Sequence, residues 1–155
     1  MATATKGKRK LELSISGSFD ASHRLYKYEG ACSNVHGHTW TVRCTFSTSV
    51  QVEHFDSRTL NIGIDFKTLK SIVAEVLDGY DHTIILYERD ELIPVLLDSH
   101  VRVTALPTNP TAEALAFHIY GDIEALLREH GLHRKVKIVS VDVWESPTSC
   151  ATYRE

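Results

Sequence analysis

The apolar residues of this chain repeat with two different periods, and the order of these periods along the chain indicates the fold class. They alternate with polar residues along residues 11–19 and 40–46, which is the period of a half-buried strand. From residue 65 the spacing becomes three and four, as on one face of a helix. Alternation returns along residues 135–145 and, briefly, 148–153. Two strands, two helices and two strands in this order predict an α+β domain with an antiparallel sheet.

Both predicted helices carry signals for their ends. Asp65 can cap the first helix, and Asn109 can cap the second, with Pro110 in its first turn and Gly131 at its end. The apolar face of the first helix comprises Phe66, Leu69, Ile72, Val73, Val76 and Leu77. That of the second comprises Leu115, Ile119, Ile123, Leu126 and Leu127. The roughly thirty residues between the helices are predicted to be a loop that is functional or holds irregular structure of its own.

Composition excludes several classes of protein. Of the 155 residues 43% are apolar and 24% charged, and the net charge is −3, so nothing indicates a nucleic-acid or membrane-surface binder. The odd number of cysteines argues against a disulfide framework and favours a reducing cytoplasm. Residues 1–10 are basic with no apolar stretch behind them, so they are predicted to be a flexible tail. We therefore predict a cytoplasmic protein with one domain, residues 11–155.

Three histidines are predicted to form a metal site. His36-Gly37-His38 leads into the second strand, where residues two apart face the same side. His36 and His38 share the parity of that strand's apolar residues, and His23 shares the parity of the first strand's apolar residues. Three imidazoles on the inner side of a hairpin leave a fourth position open, as in catalytic zinc sites. Manganese, iron and nickel also accept three imidazoles, and ordinary polar loop histidines are the alternative.

Cys32 lies four residues before His36, in the same predicted loop. Beside a bound dication its thiol would be pushed toward thiolate and would act as a base or nucleophile. The spacing is equally compatible with a fourth metal ligand or with a small loop residue. Cys44 lies mid-strand with apolar parity and is predicted to be part of the core.

Two further positions can carry acid–base or binding chemistry. Asp81 next to His82 can form a general acid–base pair in which the carboxylate sets the imidazole tautomer, or can simply form a polar turn. Glu145 has the parity of Val141 and Val143 and is predicted to point inward. A buried carboxylate needs donors, which a ligand with two adjacent N–H groups would supply. The alternative for Glu145 is an exposed strand end.

Taken together, five short segments resemble one family, that of the 6-pyruvoyltetrahydropterin and 6-carboxytetrahydropterin synthases. The segments are Phe19-Asp20-Ala21-Ser22-His23-Arg24-Leu25, Cys32-x-x-x-His36-Gly37-His38, Asp81-His82, Pro110-Thr111-Ala112-Glu113 and Trp144-Glu145. The resemblance implies the tunnelling fold (T-fold), a four-stranded antiparallel sheet with two helices on one face. It also implies that subunits join edge to edge into an oligomeric barrel, as a trimer or hexamer, with active sites between subunits. Residues 87–107 form a longer stretch than is usual in the family.

The resemblance further implies how metal and substrate would be bound. His23, His36 and His38 would bind zinc, and the zinc would bind and acidify the side-chain hydroxyls of 7,8-dihydroneopterin triphosphate. Glu145 would grip the amino group and ring N–H of the pterin.

Other roles follow from the same resemblance. Cys32 would be the general base, and Asp81 with His82 would relay protons. Thr111 and Glu113 would help to form the pterin pocket, although Glu113 equally suits the first turn of a helix. The candidates for holding the triphosphate are Arg24 and Lys67.

The spacing of the cysteine bears on the product. Three residues between Cys32 and His36 resemble the 6-carboxytetrahydropterin synthases of 7-deazaguanine (queuosine) biosynthesis, whereas the pyruvoyl-forming enzymes usually have a longer spacing. The expected activity is a zinc-dependent carbon–oxygen lyase that releases triphosphate and acetaldehyde. The alternatives are a 6-pyruvoyltetrahydropterin synthase, which keeps all three side-chain carbons, and a non-catalytic pterin- or zinc-binding relative. A base and a proton relay together argue against the last, because binding alone needs neither.

Overall fold

A computed structural model describes residues 11–48 and 62–155, so the predicted tail at residues 1–10 lies outside the described residues. In chain order the strands are β1 (Leu11–His23), β2 (His36–Thr48), β3 (Thr83–Tyr87), β4 (Val103–Leu106), β5 (Val136–Ser146) and β6 (Ser149–Tyr153). The helices are α1 (Phe66–Asp78), α2 (Leu92–Asp98) and α3 (Ala112–Glu129), and a 3₁₀ turn spans Ala31–Ser33. No helix among these residues is long and apolar enough to cross a membrane.

Within the described residues the strands form one sheet in the order β4-β3-β1-β2-β5-β6. The central pairs β1–β2, β2–β5 and β5–β6 are antiparallel, which confirms the predicted four-stranded antiparallel sheet. β1 and β2 pair along their whole length, from Leu11 opposite Thr48 to His23 opposite His36. This long hairpin brings the two ends that carry the histidines together.

The predicted loop between the two main helices holds regular structure. β3 and β4 extend the sheet beyond β1 as two short parallel strands, with α2 between them. A run of only four or five apolar residues, such as Thr83–Tyr87, does not distinguish a strand from a buried loop by its period. The fold class is therefore as predicted, with a small β-α-β addition at one side of the sheet.

Helices α1 and α3 cover one face of the sheet and enclose the core. Buried helix residues Leu69, Val73, Leu115 and Ile119 face buried sheet residues such as Trp40. The predicted apolar faces are buried except at two positions: Leu126 is partly buried, and Phe66 is 49% exposed. Phe66 is the first residue of α1, which packs on the sheet through its later turns. Cys44 is fully buried in this core, as predicted, and burial together with the charge of Asp142 raises the pKa of its thiol to about 12.

The caps are as predicted for α1 and different for α3. Asp65 accepts a hydrogen bond from the Lys67 N–H, so it caps α1. The cap of α3 is Thr111, whose hydroxyl accepts from the Ala114 N–H at 3.2 Å, so the predictions for Asn109 and Pro110 were wrong. The side chain of Asn109 makes a long-range contact instead of capping the helix. Its Oδ1 accepts a hydrogen bond from the Tyr26 N–H, and its Nδ2 donates one to the Tyr26 carbonyl.

Candidate metal centre and active site

The β1–β2 hairpin brings the three histidines together on the face that the helices cover. His23 lies directly opposite His36 in the register, and His38 lies opposite Ala21. The rings are 4.4 to 5.2 Å apart between centroids. The Nε2 atoms of His23 and His36 are 3.1 Å apart. The strand parity of the sequence therefore predicted the convergence of all three rings correctly.

Backbone carbonyls fix the tautomer of two of these rings. A carbonyl oxygen can only accept, so Nδ1–H of His23 donates to Pro110 O at 2.7 Å, and Nδ1–H of His36 donates to Asn34 O at 2.8 Å. In the neutral rings the lone pairs of both Nε2 atoms then face each other across 3.1 Å. Such an arrangement needs a shared cation, and metal-binding histidines usually carry this kind of carbonyl contact on the other nitrogen.

His38 and Glu145 complete the cluster. Nε2 of His38 is buried and has no hydrogen-bond partner among the described residues, although Oε1 of Glu145 lies 3.1 Å away. One atom from each of His23, His36, His38 and Glu145 lies within 4.8 Å of the other three. These four residues can therefore hold a metal ion, and imidazole and carboxylate suit a divalent transition metal.

The environment of His23 favours the neutral form of its ring. Its side chain is only 2% exposed, and burial, with a smaller contribution from neighbouring His36 and His38, lowers its pKa below the ordinary value. The hydrogen bond to Pro110 and the charge of Glu145 act in the opposite direction but do not outweigh burial. A neutral imidazole is the form that binds a metal.

Replacing His36 by alanine is expected to release the metal. The change removes one of the converging Nε2 atoms, and we expect metal affinity to fall by more than the roughly 10–100-fold that loss of an orienting contact costs. Metal content per chain after desalting, measured by plasma mass spectrometry, checks this. His130→Ala is the matched control, because His130 is exposed at the end of α3. Full metal content in His36→Ala would contradict the three-histidine assignment.

Asp81 and His82 form a hydrogen-bonded pair directly before β3. Oδ2 of Asp81 accepts from Nδ1–H of His82 at 2.7 Å, and Oδ1 accepts from the Asp20 N–H at 2.8 Å. These bonds, the one from Asp20 first, hold the pKa of Asp81 below its ordinary value. His82 has a positive φ of 52°, stabilised where its N–H donates to Asp20 O. The carboxylate thus fixes the imidazole and leaves its Nε2 free to exchange a proton.

The thiol of Cys32 lies outside the metal-binding cluster. Cys32 is half-buried in the 3₁₀ turn, and its carbonyl accepts from the Leu25 N–H at 2.8 Å. The ligand atoms that converge belong to three histidines and one glutamate, without this cysteine. This arrangement disfavours the fourth-ligand alternative that the sequence left open.

The structure assigns local roles to Thr111 and Glu113. The Thr111 hydroxyl caps α3, and Glu113 is exposed in the first turn of that helix, where a negative charge is favourable. Neither residue is among those that line the two depressions beside the histidines.

Two depressions share Gly37, His38 and Thr39 in their linings. The first, here called the Trp144 depression, has a volume of about 710 Å³ and is lined by Thr41, Arg43, Trp144 and Glu145 among others. The second, the Arg102 depression, has a volume of about 530 Å³ and includes Asp20, His82 and Arg102. Both volumes fall within the roughly 300–1,000 Å³ typical of ligand sites. A ligand that passes over His38 could occupy both.

The candidates for triphosphate binding lie elsewhere. Arg24 makes a bidentate ion pair with Asp90, at 2.8 Å through Nε and 2.5 Å through Nη2, so its guanidinium is already engaged. Lys67 lies in the first turn of α1 and lines a different depression with Glu75 and His130. Sequence analysis missed the contact of the Pro110 carbonyl with His23 in the site, and the contacts of Asp90 with Arg24 and of Asn109 with Tyr26 near it in the chain. Only the polarity of Asp90 in the sequence could have suggested it.

The fold and the site define an α+β domain in which three histidines and a glutamate could hold a metal ion. Comparison with known proteins gives its family. The family model for 6-pyruvoyl tetrahydropterin synthase matches residues 12–155. A relative from Bacillus subtilis named 6-carboxy-5,6,7,8-tetrahydropterin synthase is 36% identical, over 92% of this chain and 84% of its own length. A relative of the same name from Haemophilus influenzae is 32% identical, over 93% and 99%. The chain belongs to the 6-pyruvoyl tetrahydropterin synthase family.

Solved structures confirm the predicted T-fold. The 6-pyruvoyl tetrahydropterin synthase of Plasmodium vivax has a TM-score of 0.72 at 20% identity and covers 95% of this chain and 98% of its own. An uncharacterized protein from Wolinella succinogenes gives 0.71 at 20% identity, over 95% and 99%.

Proposed function

We propose that this protein is a zinc-dependent 6-carboxy-5,6,7,8-tetrahydropterin synthase. It would convert 7,8-dihydroneopterin triphosphate to the 6-carboxy product with loss of triphosphate and acetaldehyde, as a step of 7-deazaguanine (queuosine) biosynthesis. The observation that carries the proposal is the cluster of three imidazoles, two with tautomers fixed by carbonyls. One of them, His38, lines the same depression as His82 of the Asp-His pair. The relatives' names and the spacing of Cys32 to His36 favour the carboxy product.

The chain's own residues would divide the chemistry as follows. Zinc held by His23, His36 and His38 would supply a Lewis acid for the hydroxyls of the substrate side chain. Cys32 would take a proton from that side chain. His82 would then give or take protons at Nε2, while Asp81 keeps its Nδ1–H oriented.

The two depressions suggest how the substrate would lie. Glu145 lines the Trp144 depression, and its carboxylate would accept from the pterin amino group and ring N–H. With the side chain passing over His38, the triphosphate would extend into the Arg102 depression. Arg102 is exposed there and makes no ion pair within residues 11–48 and 62–155, so it is the cation we propose for the phosphates. Thr111 and Glu113 would act at the pterin pocket only through the start of α3.

Replacing Arg102 by alanine is therefore expected to raise KM about 10–100-fold, the value of one or two charge-assisted hydrogen bonds. The effect on kcat should be smaller, because the phosphates are remote from the proton transfers. Steady-state kinetics with varied substrate concentration checks this. Arg89→Ala is the control: Arg89 lies in the same β-α-β segment but is paired with Glu88 at the surface. An unchanged KM in Arg102→Ala would contradict the placement of the triphosphate.

We also propose that the protein assembles into a homo-oligomer, a trimer or hexamer, with active sites between subunits. Among the described strands, β4 and β6 form the two edges of the sheet. Open edges favour pairing with another chain, and a closed barrel removes them. A cytoplasmic location is part of the proposal, because Cys32 must remain a thiol and a reducing compartment preserves it.

The decisive test is to incubate the zinc-loaded protein with 7,8-dihydroneopterin triphosphate and analyse the products by mass spectrometry. A 6-carboxy product with acetaldehyde is the expected result. A 6-pyruvoyl product would assign the protein to the other branch of the family with the same site. Unchanged substrate in the presence of bound zinc would overturn the proposed activity and leave a pterin- or zinc-binding protein.

A further inference from the structure

Glu145 has an unusual place between the metal-binding cluster and the substrate depression. Its Oε1 lies 3.1 Å from Nε2 of His38 and 3.9 Å from Nε2 of His23. The same side chain is 31% exposed and lines the Trp144 depression, where a pterin is proposed to bind. A single carboxylate is thus within reach of both partners.

A distortion of the sheet gives Glu145 this position. The β5–β6 pairing shifts register between Trp144 and Ser146, so Glu145 has no partner in β6. On its other side, the pairing with β2 ends at Trp144 opposite Thr41. Bulges of this kind re-aim a side chain next to functional sites. The backbone at Glu145 is therefore free of the ladder on both sides.

The carboxylate of Glu145 also lacks other stabilising contacts. Within residues 11–48 and 62–155, no backbone N–H, lysine or arginine donates to it, and its polar neighbours are the histidine rings. A partly buried carboxylate without donors is unfavourable unless a cation or N–H groups stabilise it. The Nε2 atom of His38 beside it has no hydrogen-bond partner among the same residues. A cation between the two would satisfy both.

We propose that Glu145 is the fourth metal ligand of the substrate-free protein and leaves the metal when a pterin binds. The N–H groups of the pterin then replace the cation as the partner of the carboxylate, and a coordination position opens for the substrate side chain. Substrate binding would in this way create the open coordination position of the metal. In the substrate-free protein Glu145 would occupy that position. The identity of the ligand as a pterin rests on the proposed function. The binding of Glu145 to the metal in the substrate-free protein does not rest on it.

The test uses the full chain loaded with Co²⁺, whose absorption bands report the ligands around the metal. Glu145→Gln keeps the shape of the side chain and removes the charge, and we expect it to weaken Co²⁺ and Zn²⁺ binding at least about tenfold and to shift the Co²⁺ bands. Glu145→Asp keeps the charge on a shorter side chain and is a second variant in case the first folds poorly. Glu124→Gln is the matched control, since Glu124 pairs with Arg128 on the surface of α3.

The pterin step is read separately. Adding 7,8-dihydroneopterin, the substrate without its phosphates, to the Co²⁺-loaded wild type should shift its bands, and the same addition should leave Glu145→Gln little changed. Equal metal affinity and identical bands in wild type and Glu145→Gln would overturn the inference, whatever the protein does with pterins. Bands in the wild type that do not respond to bound pterin would overturn the exchange. A failure of the proposed function gives a different outcome from a failure of this inference. Pterin binding and turnover would be absent, but Glu145→Gln would still bind the metal more weakly than the wild type.

Discussion

Replacing Cys32 by alanine is expected to lower kcat by about 10²–10⁴-fold, the usual contribution of a general base, and to leave metal content unchanged. The structure separates the two effects, because the Cys32 thiol is not among the atoms that converge on the metal-binding cluster. Loss of the thiol removes a proton acceptor without removing a ligand. Single-turnover kinetics and metal analysis on the same preparation check both halves of this expectation.

Cys150→Ala is the matched control for this experiment. Cys150 is an exposed thiol on β6, so its replacement should change neither quantity. Retention of more than about a tenth of kcat in Cys32→Ala would assign the base to another residue, given the size of such contributions. Loss of metal would instead make Cys32 a ligand.

Replacing Asp90 by asparagine is expected to lower the free energy of unfolding by about 3 kcal/mol, the lower end of the range for breaking a buried ion pair. The Asp90 side chain is 0% exposed and accepts two hydrogen bonds from Arg24, which is 19% exposed, and one from the Leu92 N–H. The variant leaves the Arg24 guanidinium partly buried beside an amide. Urea unfolding at neutral pH and constant metal loading measures the loss.

Glu91→Gln is the control for Asp90. Glu91 is also close to Arg24, at 3.6 Å, but is 71% exposed, so its loss should cost less than about 1 kcal/mol. A similar loss in the two variants would show that burial does not distinguish these pairs.

Acid should remove the contribution of Asp90. Burial alone would raise its pKa, but the hydrogen bonds from Arg24 and Leu92 and the charge of Arg24 outweigh burial and hold the pKa below the ordinary value. The contribution is then fully present above the ordinary pKa of about 3.9 and is lost as pH falls through the lower folded value. The difference in unfolding free energy between wild type and Asp90→Asn should therefore narrow below about pH 4, and a constant difference would contradict this assignment.

Local rules predicted the core of the site because its geometry is local. The period of two along a strand placed His23, His36 and His38 on one face, and a hairpin needs only a short connection to bring them together. Glu145 was predicted to point inward by the same rule. The adjacent bulge, which brings it to the histidines, has no signature in the sequence.

Contacts between distant segments could not be predicted. The carbonyl that orients His23 belongs to Pro110, and the partner of Arg24 is Asp90, each reached through the packing of several elements. Asn109 was predicted to be a helix cap, because an asparagine side chain can either cap a helix or make a long-range hydrogen bond. The sequence does not distinguish the two. Thr83–Tyr87 is too short for its period to separate a strand from a loop. In each of these cases the local sequence is compatible with two structures, and contacts with distant segments determine which one forms.

Because all three histidines belong to one hairpin, the three imidazoles of the candidate metal site are synthesised within a short stretch of the chain. A ribosome completes β1 and β2 long before α3 and β5, and closing the short loop between His23 and His36 costs little entropy. The three imidazoles are therefore the first part of the candidate metal site to leave the ribosome. Glu145 and the Pro110 carbonyl reach the site only after the later elements have folded.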